Sequence, residues 1–315
     1  MPALPWPLVA ASLLIVFAAG IVRGFAGFGF SALCVAGLSL FVPPAQVVPP
    51  IFVLEVLASL TLLRGALKDA DWSWLSWLAL GNALFIPLGV ALLAFVPETP
   101  LRLLIGALLL VAAALLRTGF TLALAPTRTV RLATGLVSGF VNGVAAIGGI
   151  AVAVLLSAPR TPPRGARLPR GSWKVAEPHL HESAPRPTTY IVRPPRGMRK
   201  VAKPHLLKST AQLTPAAMRA TMIVLFLFTD LYALAWAGIV SAGGASGNDL
   251  LGRDTLSWAL WLAPAMLAGI WFGQRSFAGV SADQFRRHVL NLLILIAGVS
   301  VVRALLSLTV WGTGA

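Results

Sequence analysis

Charge is what this chain lacks most. Only 11% of its 315 residues are charged, 57% are hydrophobic, and the mean hydropathy is +0.84. A soluble globular protein carries roughly 25% charged residues. That deficit excludes an ordinary soluble domain and indicates a polytopic membrane protein. Cysteine is nearly absent. The single Cys34 excludes an internal disulfide framework and a Cys-rich metal site, and its apolar surroundings read as packing. There is no Gly-x-x-x-x-Gly-Lys-Ser/Thr loop, which disfavours a built-in ATPase. There is also no His-Glu-x-x-His, no Gly-x-Ser-x-Gly and no cluster of histidines in an apolar stretch. No catalytic chemistry suggests itself, so the chain reads as a non-enzyme without cofactor or metal.

Acidic residues are scarce too, 10 against 25 basic ones, for a formal charge of +15. A whole-chain surplus of this size would suggest nucleic acid, but its placement argues against that partner. Residues 159–209 hold 12 Arg and Lys against 2 Glu, and the rest of the chain has 13 basic and 8 acidic residues. The surplus lies mostly in one loop. The apolar N-terminus has neither a basic leader nor a small-x-small cleavage site before a polar mature chain. It reads as the first membrane element rather than a removed signal.

What is present is glycine at the middle of long apolar runs. Arg23-Gly24-Phe25-Ala26-Gly27-Phe28-Gly29-Phe30 interrupts one run, and Asn142-Gly143-Val144-Ala145-Ala146-Ile147-Gly148-Gly149 interrupts a later one. Arg23 falls opposite Asn142, Gly24 opposite Gly143, Ala26 opposite Ala145 and Gly29 opposite Gly148. Two halves that each open with a glycine-broken segment are how many secondary transporters are built. The plain alternative is that the glycines only let helices approach closely. Glu55 and Asp230 occupy matching places in later apolar runs, and Asp71-Trp72 matches Asp254 with Trp258.

These matches predict an all-α membrane protein of two inverted repeats, each a broken hairpin followed by three transmembrane helices, with about 8–10 membrane segments. The first repeat takes residues 1–124, the second starts over 125–158 and continues over 210–315, and 159–209 is an insertion. Apolar pieces are expected at 7–22 and 25–42, split at Arg23-Gly24. Pro43-Pro44 and Pro49-Pro50 should bracket a turn before a helix from residue 51. Trp72, Trp74 and Trp77 suit a headgroup interface. Pro97-Glu98-Thr99-Pro100 reads as a tight turn. Helices are expected over 101–116, 211–239, 256–272 and 289–310.

Basic residues set the topology. If each broken segment crosses an even number of times, Arg64–Asp71, Arg117–Arg131, the insertion and Arg275–His288 share the basic, cytoplasmic side. Both termini then lie on the other side, where Arg102 and Arg253 are the basic residues of the loops.

This geometry brings the two breaks together near mid-membrane, where exposed helix N–H groups favour an anion. The candidate substrate site is Arg23, Gly24, Gly27, Phe28 and Gly29 with Ser138, Asn142, Gly143, Gly148 and Gly149. Phe25, Phe28 and Phe30 would wall it, or else face lipid. Arg23 has the alternative of snorkelling to headgroups. Glu55 and Asp230 are costly in hydrocarbon, and such groups pair, relay protons or line a path. Glu55, Arg219 and Asp230 are therefore candidates for proton coupling or for structural ion pairing, in which Arg219 or Arg23 is the cation.

In the order and spacing of these motifs the chain resembles the sulfite exporter TauE/SafE family of membrane permeases. The residues that carry the resemblance are Arg23 to Phe30, Pro43-Pro44, Leu54 to Ser59, Asp71-Trp72 and Ile86-Pro87-Leu88-Gly89. In the second half they are Gly135 to Phe140, Ile147-Gly148-Gly149, Arg219-Ala220-Thr221 and Phe228-Thr229-Asp230. The resemblance implies transport of small sulfur anions such as sulfite, thiosulfate or organosulfonates across a bacterial inner membrane. Members differ in substrate, and these motifs do not choose among them. A passive anion channel or a non-transport membrane protein is the alternative.

Two departures stand out. Ile150 follows the second Gly-Gly where relatives often have proline, and residues 159–209 intervene where relatives pass directly on. The insertion repeats itself: Pro162-Pro163-Arg164-Gly165 recurs as Pro194-Pro195-Arg196-Gly197, and Lys174 to Leu180 recurs as Lys200 to Leu206. Rich in Pro and Arg, it cannot bury a core and is expected to be disordered. Its His179, His181 and His205 supply too few ligands for a metal site. A tolerated loop expansion is the first reading, and contact with anionic lipid headgroups is the second.

Overall fold

A computed structural model describes residues 5–118, 127–156, 215–243, 250–275, 291, 294–299 and 301–302. These all belong to one compact unit, formed by the chain before residue 160 and after residue 212. The insertion and its expected disorder, the basic connection after Arg275 and most of the expected last helix lie outside the described residues.

Nine helices are complete among the described residues: α1 Trp6–Ala26, α2 Phe30–Leu38, α3 Pro44–Asp69, α4 Trp72–Phe95, α5 Glu98–Arg117, α6 Arg128–Ala145, α7 Gly149–Leu156, α8 Pro215–Ala242 and α9 Arg253–Arg275. Six of them, α1, α3, α4, α5, α8 and α9, are long and apolar enough to cross a membrane. Their outer faces expose large apolar side chains such as Leu14, Leu84, Leu260 and Trp261, as a surface against lipid requires. The protein is a multi-pass membrane protein.

The first break lies further along than expected. Arg23 and Gly24 are inside α1, and the helix stops one turn later at Gly27. Gly27 (φ +80°) and Gly29 (φ +92°) are left-handed, a region a side chain enters at a cost of roughly 1–2 kcal/mol. In the second break the left-handed residue is Ala146 (φ 57°), so that half carries the cost. α2 and α7, with nine and eight residues, extend only about 12–14 Å at 1.5 Å per residue. Neither can cross a hydrocarbon core of about 30 Å.

Two other boundaries differ from expectation. α3 begins at Pro44, with Pro43 as its cap, and carries Pro49 and Pro50 inside it. Pro44 fits the first helical position, where no N–H is needed. The inner prolines are tolerated because Val47, Val48, Ile51 and Phe52 are fully buried and hold the turn by packing. Glu98, Thr99 and Pro100 are the first turn of α5 rather than a separate turn, since that turn needs no internal N–H bonds. Trp74 is buried, not interfacial: its ring lies 4.2 Å beneath the Arg131 guanidinium. Asp71-Trp72 turns out to be a helix cap. Asp71 accepts from the Ser73 N–H (3.0 Å) and the Trp74 N–H (3.2 Å) to start α4.

Glycine decides which helices meet. A methyl group placed on Gly20 would lie 2.6 Å from the Met266 carbonyl oxygen, and one on Gly24 would lie 2.4 Å from that of Ile270. On α9, Gly269 and Gly273 press equally on Phe17 and Ile21 (2.3 Å each). A step of four on one helix matches a step of four on the other, so α1 and α9 run parallel in backbone contact. α4 and α6 do the same: Gly81 meets Leu132, Gly89 meets Phe140, Gly139 meets Asn82 and Gly143 meets Ile86. Small residues four apart permit this approach within lipid. α3 and α8 pack antiparallel. Asp71, just past α3, donates its N–H to the Thr221 hydroxyl near the start of α8 (3.0 Å), while Glu55 and Asp230 at the two helix centres line one cavity.

Candidate functional site

The cavity lies where the two breaks approach α3 and α8. The first turn of α2 brings Ser31 and Ala32 to it, and the start of α7 brings Gly149 and Ile150. Both half-helices therefore direct N-terminal backbone at one point, the end at which a helix favours negative charge. Arg23, Glu55, Asn142, Phe226 and Asp230 complete most of the wall, with Gly29, Ala146 and Ile147. The cavity volume is about 10 Å³, room for about one water.

Arg23 dominates the site. It has no exposed surface. Its Nη2 donates to the Ser59 hydroxyl (3.0 Å) and lies 3.0 Å from Glu55 Oε2. Oε2 accepts no hydrogen bond, so it lies off the N–H direction and the pair is held by charge alone. The Phe226 ring lies 4.8 Å from the guanidinium carbon. Among the described residues, Arg23 Nε and Nη1 have no partner. Buried donors are normally satisfied, and a buried guanidinium more so. These two nitrogens are open to an acceptor that the protein does not supply.

In the second half, Asn142 stands where Arg23 stands in the first. Its Nδ2 donates to Asp230 Oδ1 (3.0 Å), and its Oδ1 accepts from the Gly148 N–H (3.4 Å). One side chain thus ties the second break to the middle of α8. The Ser138 hydroxyl lies 3.1 Å from Asn82 Oδ1 and 3.0 Å from the Gly148 carbonyl, and its single proton serves one of them at a time.

Arg219 reaches the first break rather than either carboxylate. Its Nη2 donates to the Gly24 carbonyl (2.9 Å). That carbonyl is in the last turn of α1, where no helical N–H follows, and a cation there also suits the helix dipole. The Arg219 stem crosses Gly27, where a Cβ would lie 2.9 Å from Arg219 Cγ.

Of the residues expected at the site, Arg23, Gly29, Asn142, Gly149, Glu55 and Asp230 line the cavity. Gly24, Gly143 and Gly148 are not in its lining and meet backbone of Ile270, Ile86 and Ser138; Gly27 meets the Arg219 stem, and Ser138 bonds through its hydroxyl. Phe28 packs into the hydrophobic core, and Phe30 is fully buried in it. Phe226, Ser59 and Asn82 were not anticipated. A sequence signal exists for two of them: Phe226 precedes Asp230 by four residues and Ser59 follows Glu55 by four, so each shares a helix face with a carboxylate. Among the described residues no group of His, Cys, Asp and Glu could hold a metal ion.

Residues 12–167 match the family model described as sulfite exporter TauE/SafE. The match covers just under half of the chain. The family points to a membrane transporter for sulfite or related anions. The TauE/SafE stretch contains both breaks, Arg23, Glu55 and Asn142. Arg219, Phe226 and Asp230 come from beyond it, so the cavity joins the matched half to the unmatched one. No curated protein and no solved structure matches the chain.

Proposed function

We propose that this protein is a secondary transporter of small anions, sulfite, thiosulfate or organosulfonates, working by alternating access at the cavity between the two breaks. The observation that carries the reading is Arg23, wholly buried with Nε and Nη1 unpartnered, beside the N-terminal turns of α2 and α7. A fixed cation and two helix dipoles aimed at one point favour an anion over any other small solute. A cavity that holds one water suits a carrier's closed state better than an open pore.

Two further features support the mechanism. The pairing of α1 with α9 and α4 with α6, each parallel, together with antiparallel α3 and α8, is what a twofold axis in the membrane plane would produce. On that reading the broken segments are hairpins, and the termini lie outside the cytoplasm of a bacterial inner membrane. Charge supports coupling to a proton. With both carboxylates ionised, Arg23 and Arg219 balance Glu55 and Asp230, so a monovalent anion such as hydrogensulfite adds one uncompensated negative charge. A proton on one carboxylate removes it, and in low dielectric that difference is large.

The test is thermal stabilisation of purified protein by a panel of small anions across pH, with Arg23→Ala alongside. Stabilisation by sulfur oxyanions that Arg23→Ala abolishes is the expected result. Unchanged anion affinity in Arg23→Ala removes Arg23 from the site. Saturable counterflow in vesicles identifies a carrier, and conductance far above carrier turnover a channel.

A further inference from the structure

We infer that Phe226 and Gly149 together form the size filter of the site and confine its substrate to a compact oxyanion without an organic chain. The inference rests on the anion site proposed above and narrows its substrates by width, keeping sulfite and thiosulfate and excluding organosulfonates. Among the described residues, Phe226 is the one aromatic side chain on the cavity wall. One side of its ring faces the Arg23 guanidinium at 4.8 Å. The ring edge lies against Gly149, the first residue of α7. A Cβ on Gly149 would stand 2.3 Å from Phe226 Cζ and 2.5 Å from Cε1.

The ring therefore fills the gap between the cation of the first half and the helix start of the second. An anion that is to meet both must enter beside the ring or displace it. The remaining walls give little. Gly29, Ala32 and Ala146 have nothing to withdraw, and Asn142 is tied at both ends of its amide. The Phe226 backbone is fixed within α8, with its carbonyl accepting from the Thr229 hydroxyl (3.2 Å). Of the lining side chains, Phe226 is the one that stands between Arg23 and Gly149, so movement of its ring opens that gap. Its hold on Arg23 is a cation–π contact, which weakens when an anion neutralises the guanidinium. A small anion on Nε or Nη1 loosens the ring, whereas an attached alkyl chain has to occupy the ring's place.

The experiment is counterflow of sulfite in proteoliposomes of the full chain, competed by methane-, ethane-, propane- and butanesulfonate. In the wild type, inhibition falls on the order of tenfold for each added methylene. In Phe226→Ala the ladder flattens, so that butanesulfonate competes within about threefold of methanesulfonate, since the added space accepts the chain. Gly149→Ala, which drives a methyl group into the ring, loses sulfite counterflow, and Phe226→Ala in the same chain restores it. A wild-type ladder that is already flat overturns the inference without any variant. So does a Phe226→Ala ladder as steep as the wild type, or a double variant as inactive as Gly149→Ala. No competition by any alkanesulfonate against working sulfite counterflow is the filter at its strictest and supports the inference; if sulfite itself gives no counterflow in the wild type, the anion site is wrong, a result that the flat ladder does not resemble.

Discussion

Gly20 of α1 and Gly269 of α9 meet backbone to backbone: a Cβ on Gly20 would stand 3.2 Å from the Gly269 Cα, and one on Gly269 would stand 3.0 Å from the Gly20 Cα. The Gly269 methyl would also lie 2.3 Å from the Phe17 carbonyl oxygen. Gly269→Ala must push two helices apart and should cost about 1–3 kcal/mol. Gly65, near the end of α3, has nothing within 4 Å of its missing Cβ. Gly65→Ala should raise stability by up to about 1 kcal/mol through helix propensity. Thermal unfolding in detergent separates the two, and equal effects would mean that the seam is not tightly packed.

Arg23 and Glu55 offer a way to separate stability from binding. Removing one member of a buried pair leaves the other charge uncompensated, at a cost of about 3–5 kcal/mol. Arg23→Gln and Glu55→Gln should each lower the melting temperature. The double variant should recover part of that loss, because no lone charge remains. It should not recover stabilisation by sulfite, which needs the Nε and Nη1 donors of Arg23. Recovery of both would assign Arg23 a structural role only.

Most of the site was legible in the sequence because chemistry that is costly in lipid is conspicuous there. Arg23, Glu55, Asn142 and Asp230 are polar residues in apolar runs, and all four line the cavity. The break was misplaced because Arg23-Gly24 looks like a helix end, whereas conformation, not composition, selects Gly27 and Gly29. Helix starts at prolines were misread for a related reason: Pro44 and Pro100 fit a first turn as well as a loop. Phe226 carries a single sequence mark, its place four residues before Asp230, and shows its role only when Gly149 is placed beside it. The partner of Glu55 was left open between Arg23 and Arg219. What separates them is that Arg219 is drawn to an orphan carbonyl at the end of α1.

Proton coupling is tested at the two carboxylates. In Glu55→Gln and Asp230→Asn the side chain keeps its shape and can no longer exchange a proton. If either carries the coupled proton, its variant transports sulfite with no response to an imposed pH gradient while still exchanging anion for anion. A pH response unchanged in both variants would end the proton proposal and leave the anion site standing.

The insertion should be dispensable for transport. The repeated Pro/Arg segments of residues 159–209 hold two Glu and few large apolar residues, so they offer no core of their own. A chain lacking residues 160–209 should keep sulfite counterflow near the wild-type rate in neutral lipid vesicles. A fall confined to vesicles rich in anionic lipid would instead assign the basic loop to headgroups.

The proposed topology has a direct labelling test, and the chain is suited to it. Its single native thiol, Cys34, is fully buried, so the wild type should react poorly with a membrane-impermeant maleimide. Lys68 at the end of α3 and Arg275 at the end of α9 are exposed, as are Pro100 at the start of α5 and Ala242 at the end of α8. An inverted pair of repeats puts Lys68 and Arg275 on one face and Pro100 and Ala242 on the other. On the proposed topology the basic residues make the first face cytoplasmic. In intact cells, Pro100→Cys and Ala242→Cys should label, while Lys68→Cys and Arg275→Cys should label only after the membrane is opened. If Lys68→Cys and Arg275→Cys behave oppositely, the halves are not inverted. The α2 and α7 starts could then still share the cavity, but alternating access by exchange of equivalent halves would have no basis.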